Sequence, residues 1–154
     1  MESVERKIDL LRTIGPFAQL ATTRLWPAAE EATVVRFGGG DVIVRQGDWA
    51  DAVYALIDGK ADVWLEDAQQ GPVLLRTLRA GQLFGETAVL YNGQRSATIK
   101  ATTDVLTVKL PGPVFLELLH SNPELAVRIA VILAQRLASD RHVLASDPTL
   151  TDME

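Results

Sequence analysis

Glycine-bearing turns break the middle of this chain at Gly38-Gly39-Gly40-Asp41, Gly47-Asp48, Asp58-Gly59, Gln70-Gly71-Pro72, Ala80-Gly81 and Asn92-Gly93, so only short elements fit between them. Glycine reaches positive φ without steric cost, and Asn and Asp bond their own backbone, which is why these residues reverse a chain. The intervening runs are VIVR (42–45), AVYALI (52–57), ADVWL (61–65), VLLRTL (73–78), ATIKA (97–101) and VLTVKL (105–110), all rich in β-branched and aliphatic residues. Short strands at this spacing predict a mainly β domain, an antiparallel jelly roll or barrel, with flanking helices. The Gly38–Gly40 run is a turn and not a phosphate loop, because no Gly-Lys-Ser/Thr follows it.

Helices are expected on either side. Residues 3 to 12 and about 17 to 30 carry aliphatics at helical spacing (Val4, Ile8, Leu11; Leu20, Leu25), broken by Gly15-Pro16 and Pro27. Beyond the strands, Pro113 to His120 and Pro123 to about Val143 read as helices, the second with Asn122 as N-cap, Pro123 at its first position and Glu124 in its first turn. The chain divides into an N-terminal helical segment (1–32), a β-barrel (33–111) and C-terminal helices (112–143), together one domain, followed by a polar tail (144–154). On the long helix Leu125, Ile129, Ile132, Leu133 and Leu137 make one apolar stripe, and Val127, Ala130, Val131, Ala134 and Ala138 a second. Two readings stay open: a helix buried all round, or a surface for a second protomer or for a lid.

Composition bounds the function. The 154 residues are 47% hydrophobic and carry a formal net charge of −5 with no basic cluster, which disfavours a nucleic-acid surface. Cysteine is absent, excluding disulfides and thiolate metal sites, and Glu2, Glu5, Arg6, Lys7 and Asp9 interrupt any signal-like apolar run. A cytoplasmic protein without a membrane span is expected. Catalysis lacks a constellation: there is no Gly-x-Ser-x-Gly frame, and the two histidines, His120 and His142, are 22 residues apart on helices. Neither a metal site nor a cofactor is expected.

Chemistry concentrates in residues 84–98, FGETAVLYNGQRSAT, where a carboxylate and a guanidinium stand nine residues apart in small or apolar company. Gly85 leads into Glu86, Thr87, Ala88, Val89 and Leu90, enough for a helical turn or two whose first N–H groups lack internal partners and favour an anion. Tyr91-Asn92-Gly93 reads as a turn, and Arg95 is delivered at a strand entrance with a planar fork suited to phosphate or carboxylate oxygens. Glu86 needs hydroxyl donors, such as those of a sugar. The ordinary reading of an isolated Glu and Arg at this spacing is a solvated surface pair; together, in this company, they point to a nucleotide.

The pattern FGE, a short apolar run, then R-small-A-T resembles the phosphate-binding cassette of the cyclic nucleotide-binding domains, found in protein kinase A regulatory subunits, nucleotide-gated channels and bacterial catabolite activators. FGGGDVIVRQGDWADAVYALIDGKADVW (37–64), RAGQLFGE (79–86) and HSNPELAVRIAVILAQRL (120–137) are similar to the family's flanking strands and following helix, so the likeness runs from about residue 14 to about residue 142. It implies that Glu86 receives the ribose 2′-hydroxyl, that Arg95 binds the cyclic phosphate, and that Phe84, Gly85, Thr87, Ala88, Ser96 and Ala97 lie around the ligand. The chain departs from the usual pattern at Gln94, where many members have proline, and at Thr87, where an aliphatic residue is common.

The expected function is binding of a 3′,5′-cyclic nucleotide by a sensor without catalytic activity. The expected ligand is cAMP, with cGMP second and larger cyclic dinucleotides last. The alternatives are a ligand-free interaction module of the same fold, or the regulatory domain of a longer channel, kinase or transferase. Strand Val73 to Leu78 is expected to supply apolar base contacts. Arg136 and Arg141 are candidates to close over the base, although the ordinary reading of each is a helix-surface cation. The output partner is an unknown effector protein or fused domain, with a homodimer through the C-terminal helix as a further possibility. The family also implies that the cassette moves inward and that the C-terminal helices swing over the base.

Overall fold

The computed structural model describes residues 2–67 and 69–146. Helix α1 (Val4–Leu11) starts at Ser3, whose hydroxyl accepts from the Arg6 amide. A 3-10 turn at Gly15–Phe17 and helix α2 (Thr22–Glu31) follow. Pro27 lies inside α2 rather than ending it, and the expected helix from about residue 17 begins at Thr22.

Strands β1 (Thr33–Phe37), β2 (Val42–Val44), β3 (Ala52–Asp58), β4 (Lys60–Asp67), β5 (Gly71–Arg79) and β6 (Leu83–Phe84) precede a short helix, α3 (Glu86–Leu90); β7 (Thr98–Ala101) and β8 (Val105–Pro111) come after it. They pair, all antiparallel, in two four-stranded sheets ordered β1-β8-β3-β6 and β2-β7-β4-β5. Helices α4 (Gly112–Ser121) and α5 (Pro123–Ser146) close the described chain. The polar tail expected at 144–154 enters α5 as far as Ser146, and its remainder lies outside the described residues.

Strand β3 lies between two cores, which is why its sequence is apolar from Ala52 to Ile57. Ala52, Tyr54 and Leu56 point into a core shared by the two sheets with Ala61, Val63, Leu78, Phe84 and Ile99, whereas Val53 and Ala55 join the helical core of Leu11, Phe17, Leu25, Phe115, Leu125 and Ile129. Successive strand residues face opposite sides, so a strand covered on both loses the polar half of its alternation. Each large side chain buried this way contributes about 1.5–3 kcal/mol. The helices cover one sheet and leave the cassette between β6 and β7 at the edge of both cores.

The long helix is not buried all round. Leu125 and Ile129 are fully packed, but Val127, Val131 and Leu137 are 64%, 52% and 60% exposed. The second stripe therefore faces outward, and Leu137 does not extend the first.

Candidate functional site

The cassette is positioned by two aromatic rings and a glycine. Phe84 ends β6 in the inter-sheet core, stacked on Tyr54 at 5.1 Å with the rings 7° from parallel, so its role is to anchor the segment. Gly85 follows with φ 82°, a left-handed conformation that turns the chain into α3. A Cβ at Gly85 would also lie 2.6 Å from Arg95 Nη1, so the site requires the missing side chain twice over.

The return to β7 is clipped by the loop before β3. Arg95 donates its amide to the Asp48 carbonyl at 2.7 Å and accepts the Gly47 amide at 2.9 Å, while Ala50 donates to the Gly93 carbonyl at 3.0 Å. These bonds fix the Arg95 backbone, and two carbonyls fix its fork: Nη1 donates to Gly85 at 2.6 Å and Nη2 to Ala52 at 2.7 Å. Asp51 adds an ion pair at 3.6 Å from its exposed position and lies 3.8 Å from the Lys109 ammonium. The guanidinium is 4% exposed, and burial pulls it below the ordinary arginine value against the opposing influence of Tyr54, Asp51, Glu86 and Asp48.

Glu86 opens α3 and is 3% exposed. Its carboxylate pairs with Arg136 of α5, whose other guanidinium nitrogen donates to the Leu83 carbonyl. Arg136 is likewise held below the ordinary arginine value, first by burial and further by Arg76, with Glu86 and Asp140 opposing. Beside it Arg76 of β5 donates from Nη1 to both Asp140 oxygens, at 2.6 and 2.5 Å, making a second tie between β5 and α5. Arg76 Nε is buried without a partner.

One sequence reading needs correction. Arg136 is not a helix-surface cation but a largely buried partner of the cassette glutamate; the Arg95 fork already donates to two carbonyls. The structure thus links Gly85 with Arg95 and Glu86 with Arg136; Ala88 is buried, and Ala97 is half-buried against the inter-sheet core. Thr87, Ser96 and Arg141 are exposed. Asp51, Ala52 and the Arg76–Asp140 pair escape the sequence reading because they reach the site across the fold. Arg136 did leave a signal: with Ile129, Ile132 and Leu133 it completes an i, i+3, i+4, i+7 set, a cation on the buried stripe.

Comparison with known proteins shows the family of the chain. A family model described as the cyclic nucleotide-binding domain matches residues 34–122. The chain is 46% identical over 93 residues to a cGMP-dependent protein kinase of Plasmodium berghei, covering 60% of this chain and 10% of that one. It is 30% identical over 109 residues to a cAMP-dependent protein kinase regulatory subunit of Emericella nidulans, covering 71% and 24%. It therefore spans a quarter or less of these relatives' lengths. Among solved structures, the catabolite activator protein of Thermus thermophilus superposes with a TM-score of 0.70 at 30% identity, covering 80% of this chain and 58% of that one.

Proposed function

The chain belongs to the cyclic nucleotide-binding domain family, and from that premise we propose that it binds a 3′,5′-cyclic nucleotide, cAMP in preference to cGMP, as a sensor with no catalytic activity of its own. The observation that carries this reading is the burial of the Arg95 guanidinium and the Glu86 carboxylate on either side of Gly85. Charged groups are seldom this buried without a purpose. A cyclic phosphate meeting Arg95 brings a full charge where two carbonyl dipoles now stand, and a guanidinium has more N–H groups than two carbonyls use. Glu86 accepts the ribose 2′-hydroxyl, which leaves room for Arg136 on the same carboxylate.

The interleaved strand order, β1-β8-β3-β6 against β2-β7-β4-β5, supports reading the two sheets as halves of a jelly roll. A cytoplasmic location is part of this proposal; among the described residues no helix is long and apolar enough to cross a membrane. The length of the relatives supports a regulatory domain acting on a fused or separate effector. The exposed Val127, Val131 and Leu137 of α5 support a homodimer through that helix. One observation favours a second reading, a ligand-free interaction module: both charged groups of the cassette already have partners.

Isothermal titration of nucleotide-stripped protein with cAMP and then cGMP separates the two. Saturable binding, tighter for cAMP, is expected. No heat and no thermal stabilisation with either nucleotide would leave the interaction module standing.

A further inference from the structure

We propose that the groove between α2 and α4 docks a basic amphipathic segment of a partner protein. The groove measures about 560 Å³. Its floor is Ala28 and Leu118, 3% and 5% exposed, and Pro27 and Val114 line it as well. Ala28 presents only a methyl group to the gap, so the two helices meet without filling it. Apolar side chains of a partner find burial there.

The rim selects the sign of that partner. Glu30 and Glu31 end α2, and Glu117 stands on α4, all three exposed. Among the described residues none of these carboxylates forms an ion pair; Glu117 accepts only from the Ser121 hydroxyl, at 3.1 Å. The last turn of α2 contains no basic residue of its own, so no neighbour on the helix pairs with Glu30 or Glu31. Lys7 comes close, yet its ammonium serves the Glu30 and Ala32 carbonyls, at 3.4 and 2.9 Å. Arg24 is the one cation lining the groove among the described residues, and its guanidinium is directed to the Ser121 carbonyl at 3.3 Å.

Lysine or arginine flanking an apolar anchor would relieve this arrangement, since complementary charge at a rim steers encounter and fixes register. Residues 147–154, DPTLTDME, carry the same sign as the rim and do not supply that cation. A second copy brings a net charge of −5. Charge therefore points outside this chain.

The test uses a fluorescein-labelled amphipathic peptide of leucine and lysine, read by anisotropy and by amide shift mapping on the full chain. Binding should perturb α2 and α4, weaken at least about tenfold in E30K/E31K, and change less than about twofold in D58K/E66K, which shifts net charge equally at exposed sites on β3 and β4. E30K/E31K puts cations at a helix C-terminus and is expected to fold. A peptide with serine for leucine should lose the interaction. The proposal is overturned by equal losses in the two double variants, by retained binding of the serine peptide, by no binding of the leucine-lysine peptide, or by a self-association of the chain that E30K/E31K abolishes.

Discussion

Arg136, midway along α5, donates to the carboxylate of Glu86, 50 positions earlier at the start of α3, and so ties the long helix to the cassette. The same guanidinium reaches the Leu83 carbonyl, and one turn further on Asp140 accepts from Arg76 Nη1 of β5. Helix α5 is therefore held to the β-sandwich by charges that converge beside the proposed ligand site. A ligand moves such an equilibrium only by preferring one arrangement of these ties over another.

Removing Arg136 strands Glu86. A carboxylate 3% exposed loses its charge partner in Arg136→Ala, and breaking a buried pair from one side costs about 3–5 kcal/mol. Thermal denaturation should show a marked fall, and Arg136→Ala combined with Glu86→Gln should regain part of it, because a neutral amide is cheaper to bury. An unchanged melting temperature in the single variant would mean that the pair carries no stability.

Arg95→Ala addresses binding. If Arg95 is the phosphate's counter-charge, the variant should lose about 2–5 kcal/mol, on the order of a hundredfold or more in affinity for cAMP by titration calorimetry. A change below about threefold removes Arg95 from the phosphate. The folded state responds separately. Burial holds the guanidinium below its unfolded value, so the charged form is disfavoured by folding, and its loss relieves that cost while leaving the Gly85 and Ala52 carbonyls without their donor. The stability change is expected to be small beside the loss of affinity.

Gly85→Ala tests the geometry that joins the two groups. The backbone there sits at φ 82°, which costs about 1–2 kcal/mol for a residue with a Cβ, and that Cβ would press on Arg95 Nη1. Stability should fall by about that amount and nucleotide affinity by more, as Arg95 is displaced from its carbonyls. Equal losses of stability and affinity, or none, would separate Gly85 from the positioning of Arg95.

Much of this was legible in the sequence, and the exceptions have physical causes. Turn glycines and β-branched runs located most strands, since those features act locally. Strand β6 escaped because two residues, Leu83 and Phe84, are too few to show a period. Glu86, Arg95 and Gly85 were readable because the cassette is contiguous. The Ala52 carbonyl, Asp51 and the Arg76–Asp140 pair were not, because strand pairing and helix packing bring them in from distant segments. Arg136 fell between the two cases: its helical position aligned it with Ile129, Ile132 and Leu133, but charge suggested the surface, and only the buried carboxylate opposite explains why it turns inward.

The outer face of α5 carries the last prediction. Val127 and Val131 are one turn apart, 64% and 52% exposed, and belong to no core cluster, so each adds apolar surface that water must wet. If a second copy covers that face, Val127→Glu with Val131→Glu places like charges against each other across a two-fold contact and should convert a dimer to a monomer by light scattering. Because neither side chain supports the fold, the melting temperature of the monomer should hold and Arg95-dependent nucleotide binding should survive. A wild-type chain that is strictly monomeric at high concentration, with and without cAMP, would exclude α5 as a self-association surface.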